Sequence, residues 1–215
     1  MKIKITFTEE VLGTKAANKD IFQDFIASKH PSGTPQHDEL DNAEHREEAG
    51  TTIFHREKEL PGIYDYQIKG FFKDACGSLN RMDKEYRGNL EKLTAYKTKI
   101  DGCIFVTPRF IPFIIATGVM DRVLLGICER PLKADTAQGP RVSLCRSETV
   151  PAGTSIVFDI QILAKELVPY VRLFLDYGKF RGLGQWRNSG KGRFTWEEIV
   201  KQYGDSEAER RLVEA

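Results

Sequence analysis

The chain has 215 residues, 40% of them hydrophobic, and a formal net charge of +1. That length suits one domain with a buried core and room for an insertion. No apolar run reaches the roughly 18–20 residues that span a membrane, and the N-terminal MKIKITF lacks the continuous apolar segment of a signal peptide. Cys76, Cys103, Cys128 and Cys145 stand far apart without a CxxC pair, which argues against a zinc site and a disulfide framework. The expectation is a cytoplasmic protein with reduced thiols, no metal and no cofactor. The near-zero net charge conceals local asymmetry, and that asymmetry is the informative part.

Along the chain, Ile3, Ile5 and Phe7 alternate with Lys2, Lys4 and Thr6, so residues 2–7 read as a half-buried strand. Residues 17–28 read as a short helix. From about His30 to Thr52 the chain is polar throughout, with six acids and one base between Asp38 and Glu48, which predicts a long polar insertion. A short strand is expected within 52–60, before Pro61-Gly62. Residues 66–80 read as a helix, because Ile68, Phe71, Phe72, Ala75 and Leu79 form one stripe at helical spacing. Lys69, Lys73 and Asn80 fall on one flank of it, and Gly70 and Gly77 on the opposite side. Residues 82–97 are charged and read as partly helical.

After Lys99 short apolar runs suggest strands at 104–107, 113–116 and 123–128, and residues 131–141 read as a polar loop. Ile156, Phe158, Ile160 and Ile162 alternate as a strand after a turn at Pro151-Ala152-Gly153. A helix is expected over 164–177, with Leu167, Val171, Phe174 and Leu175 inward and Gly178 as its stop. Phe194, Trp196 and Ile199 suggest a last strand. The tail reads as a short charged helix or a frayed end.

Between that helix and that strand lies GLGQWRNSGKGRF, Gly182 to Phe194, with four glycines, three cations and no acid. From Arg172 to Arg193 there are six cations against one acid, Asp176. Glycine lets a phosphate approach backbone N–H groups. Arginine forks onto phosphate oxygens, and an indole stacks on a base. The composition suits single-stranded nucleic acid. A basic turn with Trp186 packed inward explains the same composition. The stretch is not a phosphate-binding GxxxxGK[ST] loop: the spacing from Gly184 to Gly190 is one residue too long, and Gly192 stands where Ser or Thr is needed. All four histidines lie between His30 and His55, near Asp38 and Asp41. Such a cluster invites histidine-driven RNA cleavage, but the spacings match no compact ligand pair, and the composition of a polar loop explains them too.

Three segments together resemble the RAMP superfamily, the repeat-associated proteins of CRISPR effector complexes. LPGIYDYQIKGFFKDACGSL (60–79) resembles the family's IPGSSIKGALR segment, with Asp65-Tyr66-Gln67 where the family has small residues. ETVPAGTSIVFDIQIL (148–163) is similar to its proline-glycine turn into a central strand. LGQWRNSGKGRF (183–194) is similar to its glycine-rich loop. The resemblance implies an α+β, ferredoxin-like (RRM-like) domain: an antiparallel sheet with two helices, a glycine-rich loop and the polar insertion, all in one domain over 1–215. It is nearest the backbone subunits, which polymerise along a guide RNA. Relatives that cleave use an aspartate before the IPGS segment, by position Asp38 or Asp41, or a histidine in the N-terminal half, by position His30 or His37. A stand-alone relative carried by a phage or another mobile element is one form such a chain takes.

The resulting expectation is binding of single-stranded nucleic acid, RNA before DNA, by its backbone. Lys69 and Lys73 would contribute from the first helix. Arg181, Arg187, Lys191 and Arg193 would contact phosphates, with Asn188 beside them. Gly182, Gly184, Gly190 and Gly192 would allow approach, and Trp186 would stack or brace. Partners would be the strand and further copies or related subunits, with acids of the 30–52 insertion facing a neighbour's basic loop to give head-to-tail assembly. Two alternatives stand beside this. One is a metal-independent endoribonuclease using a histidine in 30–55. The other is a non-catalytic protein that binds a host protein.

Overall fold

A computed structural model describes residues 1–17, 51–115, 118–119, 125–136 and 139–199. The helix expected at 17–28, the insertion up to residue 50, with His30, His37, Asp38 and Asp41, and the charged tail lie outside the described residues. In chain order the strands are β1 (Lys2–Phe7), β2 (Val11–Leu12), β3 (Lys15–Ala16), β4 (Thr51–Ile53), β5 (His55–Glu57) and β6 (Leu60–Tyr64). Helices α1 (Asp65–Leu79) and α2 (Tyr96–Cys103) follow. Then come β7 (Ile104–Thr107), β8 (Phe110–Pro112), β9 (Ile114–Ile115), β10 (Gly118–Val119), β11 (Gly126–Thr136), β12 (Gly139–Val150) and β13 (Ser155–Ile162). Helix α3 (Val168–Arg181) and β14 (Phe194–Glu198) close the order.

β1 pairs antiparallel with β13 on one side and with β14 on the other, Ile5 opposite both Ile156 and Trp196. β7 adds to the far edge of β13, Val106 opposite Ile160. The four strands therefore lie in the order β14-β1-β13-β7, with α1 between β1 and β7 in the chain and α3 between β13 and β14. This is the ferredoxin-like arrangement, with α2 as a third helix ahead of β7. Period-2 alternation puts Ile3, Ile5 and Phe7 of β1 and Ile156, Phe158 and Ile160 of β13 on one face, all at 2% exposure or less. The stripe of α1 and the inward face of α3 cover that face. Phe72 and Phe174 meet across the two helices at 5.9 Å, and Phe71 meets Phe194 of β14 at 5.4 Å. Each such buried ring contributes about 1.5–3 kcal/mol relative to exposure.

Helix α1 starts where Gln67 Oε1 accepts the Tyr64 N–H at 2.9 Å, with Asp65 in the first turn favouring the positive end of the dipole. Helix α3 has Pro in its first turn, and Lys179 and Arg181 in its last.

Several expectations need correcting. Residues 131–141 are not a loop: β11 and β12 form a long antiparallel hairpin in register from Gly126↔Thr149 to Thr136↔Gly139. The two strands pair with each other along their whole length, and β12 alone also meets β2 and β4 at the base. The 52–60 region holds two short strands. β4 joins β3 and the base of the hairpin, and β5 joins β6 and β8. Residues 82–97 are mostly turn, with a single 3₁₀ turn at Glu85–Arg87, because Arg87 lies buried and its guanidinium takes the Met82 and Leu90 carbonyls. Gly178 does not end α3. The helix runs on to Arg181 and stops at Gly182, whose φ is 72°. Gly178 is small for another reason: a Cβ there would sit 2.1 Å from the Phe194 ring.

Candidate nucleic-acid interface

The glycine-rich loop leaves α3 and folds back onto the turn between β1 and β2. Gly192 N–H donates to Glu10 O at 2.8 Å, Leu183 N–H donates to Gly192 O at 2.8 Å, and Thr8 N–H donates to Arg193 O at 2.9 Å. Leu183 is buried, so the loop has its own apolar anchor. Gly192 has φ 71°, and a Cβ on it would lie 1.8 Å from Leu183 O. The close approach that glycine permits at 182, 184 and 192 is to the protein's own backbone: Lys191 and Gly192 for Gly182, Leu12 for Gly184, and Leu183 for Gly192. Gly190 instead faces the Arg193 guanidinium.

The cations of the loop are arranged around two acids. Asp74 of α1 accepts from Arg181 Nε and from Arg187 Nη1, each at 2.8 Å, and Arg181 Nη1 also donates to Asn188 Oδ1 at 3.1 Å. Burial alone would raise the Asp74 carboxyl, but the hydrogen bonds and charges of Arg181 and Arg187 outweigh it and hold it below its usual value. Lys191 pairs with Glu10, whose hydrogen bond holds the ammonium above its usual value. Arg193 is exposed and has no ion pair among the described residues. Lys69 and Lys73 sit elsewhere on α1, against α2: both Nζ atoms face Asp101, at 3.8 and 2.7 Å. The structure thus joins Arg181, Trp186, Arg187, Asn188, Lys191 and Arg193, and sets Lys69 and Lys73 apart from them.

Trp186 is 41% exposed, on a turn whose 3₁₀ segment is Arg187–Ser189. Beneath it lies a residue that the sequence reading missed. Arg130 of β11 is 6% exposed, its guanidinium carbon is 5.2 Å from the indole centroid, and its Nη2 donates to Gln185 Oε1 at 2.8 Å. Its Nε and Nη1 are buried with no hydrogen-bond partner among the described residues. An unpaired buried donor costs about 1–3 kcal/mol, more when charged, and the cation–π contact returns only about 0.5–2 kcal/mol. Residues 131–141 were read as a loop, and nothing in the sequence placed Arg130 near Trp186.

A second cluster forms at the start of α1. His55 Nε2 lies 3.3 Å from Tyr66 Oη, Tyr66 stacks on Tyr64 at 5.6 Å, and the Arg109 guanidinium lies 5.9 Å from the Tyr64 ring. Burial, with a smaller push from Lys15, lowers the His55 imidazole below its usual value, and burial raises the Tyr66 phenol. A neutral imidazole beside a protonated phenol can accept or relay a proton. The sequence signals of this cluster were His55, the last of the four clustered histidines, and the replacement of small residues by Asp65-Tyr66-Gln67. Among the described residues no group of three or more His, Cys, Asp or Glu side chains could hold a metal ion.

No protein-family model matches the chain, and no curated protein does. Solved structures do. The chain is similar to Cmr6 from Pyrococcus furiosus, with a TM-score of 0.50 and 11% identity over 91% of this chain and 97% of that one. A chain of a type IV-B CRISPR complex gives a TM-score of 0.48 at 14% identity, over 94% and 92%. A chain of the type III-B Cmr-beta complex bound to cognate target RNA gives 0.45 at 14%, over 93% of this chain and 58% of that one. At such identities the likeness is one of fold. The chain has the α+β, ferredoxin-like fold expected of it, and its likeness to Cmr6 is one of fold at 11% identity.

Proposed function

We propose that this chain binds single-stranded nucleic acid, RNA in the first instance, by its phosphate backbone and without reading base sequence. The observation that carries the reading is the gathering of Arg181, Arg187, Lys191 and Arg193 at one loop about Asp74 and Glu10, with Arg130 beneath the half-exposed indole of Trp186. The pairs to Asp74 and Glu10 reach solvent. They are part-buried, with side-chain exposures of 21–33%, and a phosphate that reaches them can take over a guanidinium or an ammonium from its carboxylate. Phosphate contacts release counterions, and each lowers the logarithm of affinity by about 0.7 per log unit of salt on a single strand. The test is fluorescence anisotropy with 30-nucleotide single-stranded RNA and DNA at two salt concentrations, on wild type and an Arg187→Ala/Lys191→Ala variant. Binding that weakens with salt and is lost in the variant is expected. Salt-independent binding, or none, overturns the reading.

The proposal extends to assembly. The six acids between Asp38 and Glu48 carry the charge that complements this basic loop on a neighbouring copy. A species that stays monomeric with and without oligonucleotide in mass-resolved chromatography counts against it.

One observation favours a second reading, metal-independent RNA cleavage: the contact of His55 with Tyr66 beside Arg109. Cleavage that persists in EDTA and is lost in His55→Ala would support it. RNA left intact by the wild type at every pH from 6 to 9 removes it.

A further inference from the structure

We propose that Arg130 is a phosphate receptor closed by the indole of Trp186. A backbone phosphate enters as the indole swings off the guanidinium, and the freed ring then stacks on a base of the same strand. The identity of the anion rests on the nucleic-acid reading above; the receptor itself rests on geometry. Arg130 is 6% exposed, and two of its donors, Nε and Nη1, have no partner among the described residues. The third nitrogen, Nη2, is held by Gln185 Oε1 at 2.8 Å, which fixes the plane of the guanidinium. Nε and Nη1 lie on different edges of the planar cation, so each can give a phosphate oxygen one charge-assisted hydrogen bond.

What covers Arg130 is movable. Trp186 lies over the guanidinium at 5.2 Å, yet keeps 41% of its surface in solvent. Its backbone has φ 53°, a left-handed conformation unusual for a bulky residue, on a turn between Gly184 and Gly190. Neighbouring positive charge favours an anion: Arg187 follows Trp186 directly, and Arg181 shares the Asp74 carboxylate with it. The ring that leaves Arg130 remains at the rim of the site, where a base attached to the bound phosphate can meet it. Opening therefore exchanges a cation–π contact for a charge-assisted hydrogen bond and a stack.

The experiment uses the full chain with Trp196→Phe, which leaves Trp186 as the single indole. It is titrated with 30-nucleotide single-stranded RNA and, separately, with inorganic phosphate, following Trp186 emission and RNA anisotropy together. Trp186 emission is expected to change with the same saturation as the anisotropy. Arg130→Gln is expected to weaken RNA binding about tenfold, or 1.4 kcal/mol, and to abolish the emission change. Because Arg130 is buried, a second variant keeps it in place: Trp186→Ala opens the receptor and is expected to bind inorganic phosphate more tightly, read by titration calorimetry against the Trp196→Phe parent, and RNA more weakly, read by anisotropy. Salt-sensitive RNA binding with unchanged Trp186 emission, undiminished in Arg130→Gln, overturns the receptor and leaves the nucleic-acid reading standing. Phosphate that shifts Trp186 emission in a protein that does not bind RNA supports the receptor and overturns the reading. Silence to both ligands overturns both.

Discussion

Asp74 decides how much positive charge the loop offers. It holds two guanidiniums on one carboxylate, from Arg181 and Arg187. Its lowered value means that the folded state favours the ionised form, so its contribution to stability is complete above the unfolded carboxyl value of about 3.9 and is lost as pH falls through the folded value. Asp74→Asn should lower stability by about 1 kcal/mol at pH 7, and a urea titration repeated near pH 3 should show the gap closing. The same variant frees Arg181 and Arg187 and should tighten RNA binding at low salt; weaker binding would mean that Asp74 orients the two arginines rather than competing for them. His55 works with the opposite sense of charge. The fold favours its neutral form, so the unfolded chain binds the extra proton as pH falls below about 6.5, and stability declines through that window. His55→Gln should remove that part of the slope in denaturation curves taken between pH 5 and 7.

The loop and the helix before it are held by backbones in contact, and glycine is what permits this. Gly192→Ala would push a methyl into Leu183 O at a φ of 71°, so both space and conformation oppose it. A loss of about 1–3 kcal/mol is expected, read as a fall of roughly 2–4 °C in Tm per kcal/mol for a chain of this size. Gly178→Ala should do similar damage through the Phe194 ring. A Gly70→Ala control has open space in a helix and should be neutral or slightly stabilising, since nothing lies within 4 Å of the added carbon. Phe72, at 0% exposure between α1 and α3, should cost about 3–5 kcal/mol as alanine.

The arrangement of the four central strands sends one sheet face to the helices and leaves the other polar. On β1 and β14 that second face carries Lys4 paired with Glu197 at 2.9 Å, on β13 it carries Asp159 and Gln161, and on β7 it carries the exposed ring of Phe105 opposite Gln161. That face offers a strand of nucleic acid a single ring, at its β7 edge, and the loop edge is where the cations gather. If three or four of the five cations at that edge meet phosphates, the logarithm of affinity should fall with log salt at a slope of about −2 to −3. A slope near zero would rule out backbone binding at this edge.

The helix stripe at Ile68, Phe71, Phe72, Ala75 and Leu79, the alternation in β1 and β13, and the placing of the glycine-rich loop between α3 and β14 were all legible in the residues. Each depends on local periodicity or on glycine chemistry, which neighbours along the chain suffice to express. The hairpin of β11 and β12 was not legible, because residues 131–141 carry mostly polar and small side chains with no apolar alternation. Nor was the pairing of Arg181 and Arg187 with Asp74, of Lys191 with Glu10, or the burial of Arg130 under Trp186. These join residues 55 to 181 positions apart. Composition could say that the loop is basic, but how much of that charge is already spent within the protein depends on which distant side chains the packed core brings within hydrogen-bonding reach.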